Sequence, residues 1–246
     1  MSRAGWPGGV GGRGELLVDA VLVGQIARDL VLTVAEVPGP HGTTPVGQRR
    51  EMLGGKGANQ AVALTQLGLS AAVCGVVGDD GTADWLVAQA ARDGVDVGLL
   101  VRRRGTRTGL VVDIVTPDGQ WRYLEDLPEP VLLTEADIHR AAAAIAGARA
   151  VLVRLQQPSA AALAAARLAD GLVVLDGAPA DDERREAILA AADIIRADER
   201  EVTALTGSRI DSVDDAVLAG EALLGRRVRL VALAVPQAGN VFVWPE

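Results

Sequence analysis

Lys56 is the one lysine in a chain whose other 23 basic residues are arginine. It stands in Leu53–Gly68, LGGKGANQAVALTQLG, just ahead of apolar residues at helical spacing: Ala61, Val62, Leu64 and Leu67. Gly54, Gly55 and Gly57 let backbone amides approach a ligand closely. Lys56 adds a compact ammonium with three donors, and Asn59, in the first turn of the helix, offers a donor and an acceptor that suit sugar hydroxyls. An Arg fork is planar and larger, so an enclosed position here selects Lys. The same glycines also read as plain punctuation before a helix, and that alternative stays open at this point.

Two other motif readings fail on context. Gly57 follows Lys56, so the run is not GxxxxGK[ST]. A broken GxGxxG, with Gln60 in the third place and Asp79 further on, needs a buried strand before the glycines, and GQRREM is too polar for one.

The elements that must position these residues follow from apolar patterning. Leu16–Gly24 reads as a buried strand, and DLVLTVAEVPG and TTPVGQRREML as half-exposed ones. A helix is predicted over Gly57–Leu67, stopped by Gly68. Ala71–Val77 reads as one buried strand, Thr82–Arg92 as a helix, and 105–125 as a hairpin turning at Pro117, Asp118 and Gly119. Strands at Ala150–Leu155, Leu172–Asp176, Asp193–Arg196, Val228–Ala234 and Asn240–Trp244 then alternate with helices at Ser159–Asp170, Asp182–Ala191 and Glu199–Thr206. Thr134 with Asp137, and Ser212 with Asp215, open two more helices as capping boxes. This alternation predicts an α/β fold with a mostly parallel sheet and helices on both faces. The two polar β segments predict a small β flap beside it.

Composition narrows the partners. The 246 residues are 49% hydrophobic but only 2% aromatic, so the core must be Ala, Val and Leu. A net charge of -8 argues against nucleic acid. The single cysteine, Cys74, excludes a disulfide framework and reads as buried. No apolar run is long enough for a membrane span. Residues 1–14 read as a flexible glycine-rich tail without a signal-peptide core, which predicts a cytoplasmic protein.

The glycine motif, followed by VCGVVGDDGTADWL, resembles the N-terminal signature of the ribokinase-like (PfkB-type) sugar kinases. VLVGQIARD is similar to that family's first strand and the acidic residue after it, LVVLDGAPA to the strand carrying Asn-Pro-Ala-Pro, and DIIRADEREVTALTG to the segment with Asn-x-x-Glu. The resemblance implies a three-layer αβα sandwich. Its core would span 15–26, 55–104 and 127–246, under a β lid of 27–54 and 105–126 that often mediates homodimers. It implies ATP-dependent phosphorylation of a small sugar, ribose first, at a hydroxymethyl group, with Mg2+ and often K+. By the same resemblance Asp29, Gly54, Gly55, Lys56, Asn59 and Gln156 line the sugar site, and Asp198 and Glu201 lie by the nucleotide and magnesium.

The departures from the family pattern are specific. Ala27 stands where sugar-specific members often have Asn, Gln156 where ribokinases have Glu, Asp198 for the Asn of Asn-x-x-Glu, and Ala232-Leu233-Ala234 for Thr-Leu-Gly. They leave room for fructose, a sugar phosphate or a nucleoside as acceptor, or for a non-catalytic sugar-binding relative. The second signature, Asp-Thr-x-Gly-Ala-Gly-Asp, which supplies the anion hole and the base, is not in the 246 residues. Its absence, on a sequence ending in a strand, predicts a chain without its C-terminal catalytic part, inactive by itself and prone to self-association.

Overall fold

The computed structural model describes residues 18–225 and 227–245. The expected tail, 1–14, lies outside them. In chain order the elements are β1 (Ala20–Val23), β2 (Ala27–Val34), β3 (Val46–Gly54), α1 (Lys56–Gln66), β4 (Ala71–Cys74), β5 (Val76–Val77), α2 (Gly81–Arg92), β6 (Val101–Arg102), β7 (Leu110–Val115) and β8 (Trp121–Asp126). A 3-10 turn, Glu129–Val131, leads to α3 (Glu135–Arg140), α4 (Ala142–Gly147), β9 (Ala150–Arg154), α5 (Ser159–Leu168), β10 (Leu172–Asp176), α6 (Arg185–Ala190), β11 (Ile194–Ala197), α7 (Glu199–Thr206), α8 (Val213–Leu223), β12 (Leu230–Val235) and β13 (Gly239–Val243).

Seven strands form the main sheet in the order β13-β12-β11-β10-β9-β1-β4. Every neighbouring pair is parallel except β12 with β13. One face carries Val21, Val23, Val151, Val153, Val173, Leu175, Val231 and Leu233, all buried with residues of α3 to α8. On the other face Ala20, Leu22, Ala71 and Val73 pack with Ala61 of α1 and Ala90 of α2. That second cover ends near β9. Beyond it Leu172 and Phe242 are 41% and 55% exposed, so the face over β10 to β13 is open. Helices cover both faces, but the second only in part.

A second, four-stranded sheet runs β3-β2-β7-β8. It is joined to the core at the start of α2. The Asp80 carboxylate accepts from Ala83 N–H of α2 at 2.9 Å and from Thr108 N–H at 2.8 Å. The helix cap therefore also fixes the loop entering β7. Among the described residues no helix is long and apolar enough to cross a membrane.

Three expectations are corrected. Ala71–Val77 is two strands, because the chain leaves the main sheet at Gly75, whose carbonyl takes Val101 N–H at 2.9 Å. The second strand then pairs with β6. The helix expected over Asp182–Ala191 spans only Arg185–Ala190. Asp182 Oδ1 accepts Arg184 N–H at 2.8 Å, a local turn that competes with helix there. The Leu16–Gly24 strand is Ala20–Val23, its first residues lying outside the described ones. The capping boxes at Thr134 and Ser212 are present as read, each carboxylate reaching back to the cap. Cys74 is fully buried, which pushes its thiol up to about 12, with the Asp137 carboxylate adding to the shift.

Candidate functional site

The glycine stretch turns from β3 into α1 directly against the end of β1. Gly55 takes φ +86°, open to glycine at little cost. Ala58 N–H donates to Gln25 O at 3.1 Å, clamping the first helical turn to the β1–β2 connection. A Cβ on Gly57 would lie 2.8 Å from the carbonyl carbon of Gly24, so the contact is backbone on backbone. A Cβ on Gly54 would lie 1.9 Å from Asp29 Cγ. Glycine at 54 therefore makes space for the Asp29 carboxylate, whereas the cavity is lined by Gly55 and Lys56. Gly54 stands behind that carboxylate and does not line the cavity.

The cavity holds about 170 Å³ between this turn and the inner face of the second sheet. Asp29, Lys56, Asn59 and Gln156 all line it, on β2, α1 and the loop after β9. Four polar residues that sequence reasoning missed join them, Gln25, Asp113, Tyr123 and Glu125, with Val111 and Leu127 as apolar lining. Asp113 carried a faint signal, as the one charged residue of LVVDIV; Gln25 carried none. Cross-strand pairing explains the convergence. Asp29 pairs with Val111 and Val111 with Glu125, while Asp113 pairs with Tyr123. Residues facing each other or two apart share one sheet face.

The electrostatics are unusual. Burial, reinforced by the Asp113 charge, pushes Asp29 up to about 6 against the pull of the Gly55 amide. Burial also raises Asp113. Tyr123 is raised by burial and then by Asp113, Asp29 and Glu125, as expected for a phenol among three carboxylates. Asp29 Oδ1 and Gln25 Oε1 are buried with no hydrogen-bond partner. Lys56 is exposed at the lip. The enclosure that would select Lys over Arg is not there, and that expectation is corrected.

Asp198 and Glu201 sit elsewhere, in a row of charges across the main sheet. Arg154 on β9, Asp176 on β10 and Arg196 on β11 are register partners and point the same way. The Arg154 and Asp176 side chains, 1% and 7% exposed, form an ion pair. Arg196 Nη1 reaches Asp176 at 3.2 Å and Glu201 at 3.5 Å, and Arg154 Nη2 lies 3.6 Å from Glu201 Oε1. Gln60 of α1 donates to the same Asp176, linking the row to the glycine helix. Asp198 caps α7, accepting Arg200 and Glu201 N–H at 3.0 and 2.9 Å, while Glu201 Oε2 takes Asp198 N–H at 2.8 Å. The Asp-x-x-Glu segment is thus a capping box. Its Glu faces two guanidiniums, one on each oxygen, an arrangement that does not fit a divalent cation at Glu201.

The profile of the pfkB family carbohydrate kinases matches residues 18–243. The chain is 30% identical over 226 residues to a ribokinase of Haemophilus influenzae, covering 90% of this chain and 73% of that one. It is 32% identical over 224 residues to fructokinase-1 of Oryza sativa subsp. japonica, covering 84% and 67%. It is also 27% identical to the bifunctional ribokinase/ribose-5-phosphate isomerase A of Fructilactobacillus sanfranciscensis, over 92% of this chain but 42% of that longer protein. In structure it is similar to Arabidopsis thaliana ribokinase complexed with ribose and ATP. That match has a TM-score of 0.76 at 21% identity and covers 93% and 75% of the two chains. With the fold, the glycine turn and these matches in agreement, the chain belongs to the pfkB family of carbohydrate kinases.

Proposed function

We propose that the cavity between the glycine turn and the second sheet binds a small sugar, ribose first, for phosphorylation of its hydroxymethyl group by ATP. The observation that carries this reading is the convergence of Asp29, Asn59 and Lys56 on one small cavity that holds unpartnered buried acceptors. Hydroxyl groups are the donors such acceptors lack. Asp29 accepts from acceptor hydroxyls, Asn59 accepts and donates, and Gln156, exposed in the loop after β9, offers a further amide. That sheet acts as a lid (27–54 and 105–126), excluding water that would otherwise compete for the phosphoryl group.

Transfer also needs a base and donors around the moving phosphoryl group. The resemblance assigns both to Asp-Thr-x-Gly-Ala-Gly-Asp, a run absent from the 246 residues. For these residues alone the proposal is acceptor binding without turnover. Fructose as acceptor is the second reading, favoured by Ala27 and Gln156 in the lining and by the similarity to a rice fructokinase. The lid also offers a homodimer surface, with Trp121 and Tyr123 on one face of β8, 60% and 51% exposed and with ring centroids 4.4 Å apart. A cytoplasmic location fits a protein drawing on ATP.

The test has two parts. Calorimetric titration of residues 1–246 with ribose and fructose is expected to show one saturable site, and a coupled assay no sugar-dependent ADP release. Failure of both sugars to bind contradicts the acceptor site; ADP release above a mock preparation contradicts the absence of turnover.

A further inference from the structure

The cavity just assigned to the acceptor carries more negative charge than a neutral sugar can use. Asp29 and Asp113, half-buried, and Glu125, exposed at the mouth, all line it, and Lys56 is its one basic residue. Among the described residues none of the three carboxylates has an ion-pair partner. A fourth acceptor comes from Gln25. The residue is 6% exposed, yet its Oε1 meets no donor. Buried polar groups left in this state cost free energy unless a ligand satisfies them. The missing groups are donors, and the missing charge is positive.

We propose that the acceptor carries a protonated amino group, held by Asp113 and Glu125 under the second sheet, and that sugars bearing a phosphate are rejected. This rests on the acceptor reading above and sharpens its substrate class. An ammonium brings three donors and one positive charge, which offsets part of the excess of carboxylates. A phosphate ester brings two negative charges and only acceptors, so it meets three carboxylates with Lys56 as the one opposing charge, and the neutral donors of the lining (Asn59, Gln25, Gln156, Tyr123 and the helix-start amides) do not offset that repulsion. The carboxylates stand on adjacent paired strands as diagonal neighbours on one face, Asp113 opposite Tyr123 and Glu125 opposite Val111, a spacing of about 7–8 Å or less between Cβ atoms that lets both side chains turn to one ammonium. Burial raises Asp113, and Tyr123 is raised by burial and then by the charges of Asp113, Asp29 and Glu125, so the phenol senses all three carboxylates.

The experiment is calorimetric titration of the chain with two matched sets, each keeping a free C6 hydroxymethyl group. One set is glucose, glucosamine and glucose 1-phosphate. The other is fructose, 1-amino-1-deoxyfructose and fructose 1-phosphate. In at least one set the amine is expected to bind about ten-fold or more tightly than its hydroxyl counterpart, and the phosphate not measurably. The advantage should shrink as salt rises from low to physiological. The double change Asp113→Asn with Glu125→Gln should bring amine and hydroxyl to within about two-fold of each other, with melting curves confirming the fold. Equal affinity for amine and hydroxyl in both sets, or tighter binding of a phosphate, overturns the inference while leaving a sugar site standing. No binding by any of the six overturns the inference, while the sugar site itself stands or falls with the ribose titration described above. An amine preference untouched by the double change overturns the assignment to Asp113 and Glu125.

Discussion

Two groups of charges lie at the carboxyl ends of the main-sheet strands and are treated in opposite ways. In the row Arg154–Asp176–Arg196–Glu201 two guanidiniums meet two carboxylates, the side chains are buried or half-buried, and Gln60 and the α7 cap tie the ends. In the cavity, three carboxylates share a small space with one exposed lysine and find no ion-pair partner among the described residues. Charges paired within the chain hold the chain together, even though Arg154 Nε and Nη2 find no hydrogen-bond acceptor; carboxylates left without an opposite charge in a cavity await a ligand. The row should therefore show its importance in stability, and the cavity in binding.

The largest effect tests the row. Asp176→Ala leaves Arg154 buried beside a single, more distant carboxylate, Glu201. Breaking a buried pair on one side costs about 3–5 kcal/mol, and urea denaturation should show a loss of that order. A loss below about 1 kcal/mol would mean that the row is surface electrostatics only. Next comes Asn59→Ala, expected to weaken sugar binding by about 1–3 kcal/mol while the melting temperature holds, since Ala is the better helix former.

Asp29→Asn should act in the opposite direction on stability. The folded-state value of about 6 lies above the ordinary 3.8, so the folded chain holds this proton more tightly than the unfolded chain does. That contribution is complete below about pH 4 and is lost as pH rises through about 6. At pH 8 the ionised Asp29 is then a net cost, and Asp29→Asn should stabilise the ligand-free chain by about 1–2 kcal/mol after solvent screening. At pH 4 the two melting curves should coincide. Binding of sugar hydroxyls should strengthen through pH 6 as the better acceptor forms. The smallest effect is Lys56→Arg, expected within about two-fold in affinity, because Arg keeps the charge and the exposed position has room for the larger fork, whereas Asn59→Ala removes the polar atoms altogether. A larger change would mean that Lys56 becomes enclosed when sugar binds.

The sequence showed the rhythm of the main sheet because its strands are short apolar runs between capped helices. Glu199–Thr206 was read with both ends as observed, since Asp198 and Gly207 punctuate it strongly. The glycine turn was legible for the same reason: few sequences place three glycines before an amphipathic helix. What could not be read were relations across strands. Asp113 and Glu125 meet Asp29 only through the register of β2, β7 and β8, and Arg154, Asp176 and Arg196 align only once the parallel strands are paired. Glu201 illustrates the same point: its spacing from Asp198 fits a metal motif by resemblance and a capping box by geometry, and only the nearby guanidiniums decide between them.

The most direct measurement pairs binding with stability on one set of proteins. Each of the parent, Asn59→Ala and Asp176→Ala is titrated calorimetrically with the tightest sugar found and melted without ligand. The account predicts that Asn59→Ala loses about ten-fold or more in affinity at an unchanged melting temperature. It predicts that Asp176→Ala melts well below the parent yet, where folded, keeps its affinity within a few-fold. Lost affinity in Asp176→Ala at an unchanged melting temperature, with full affinity in Asn59→Ala, would contradict it.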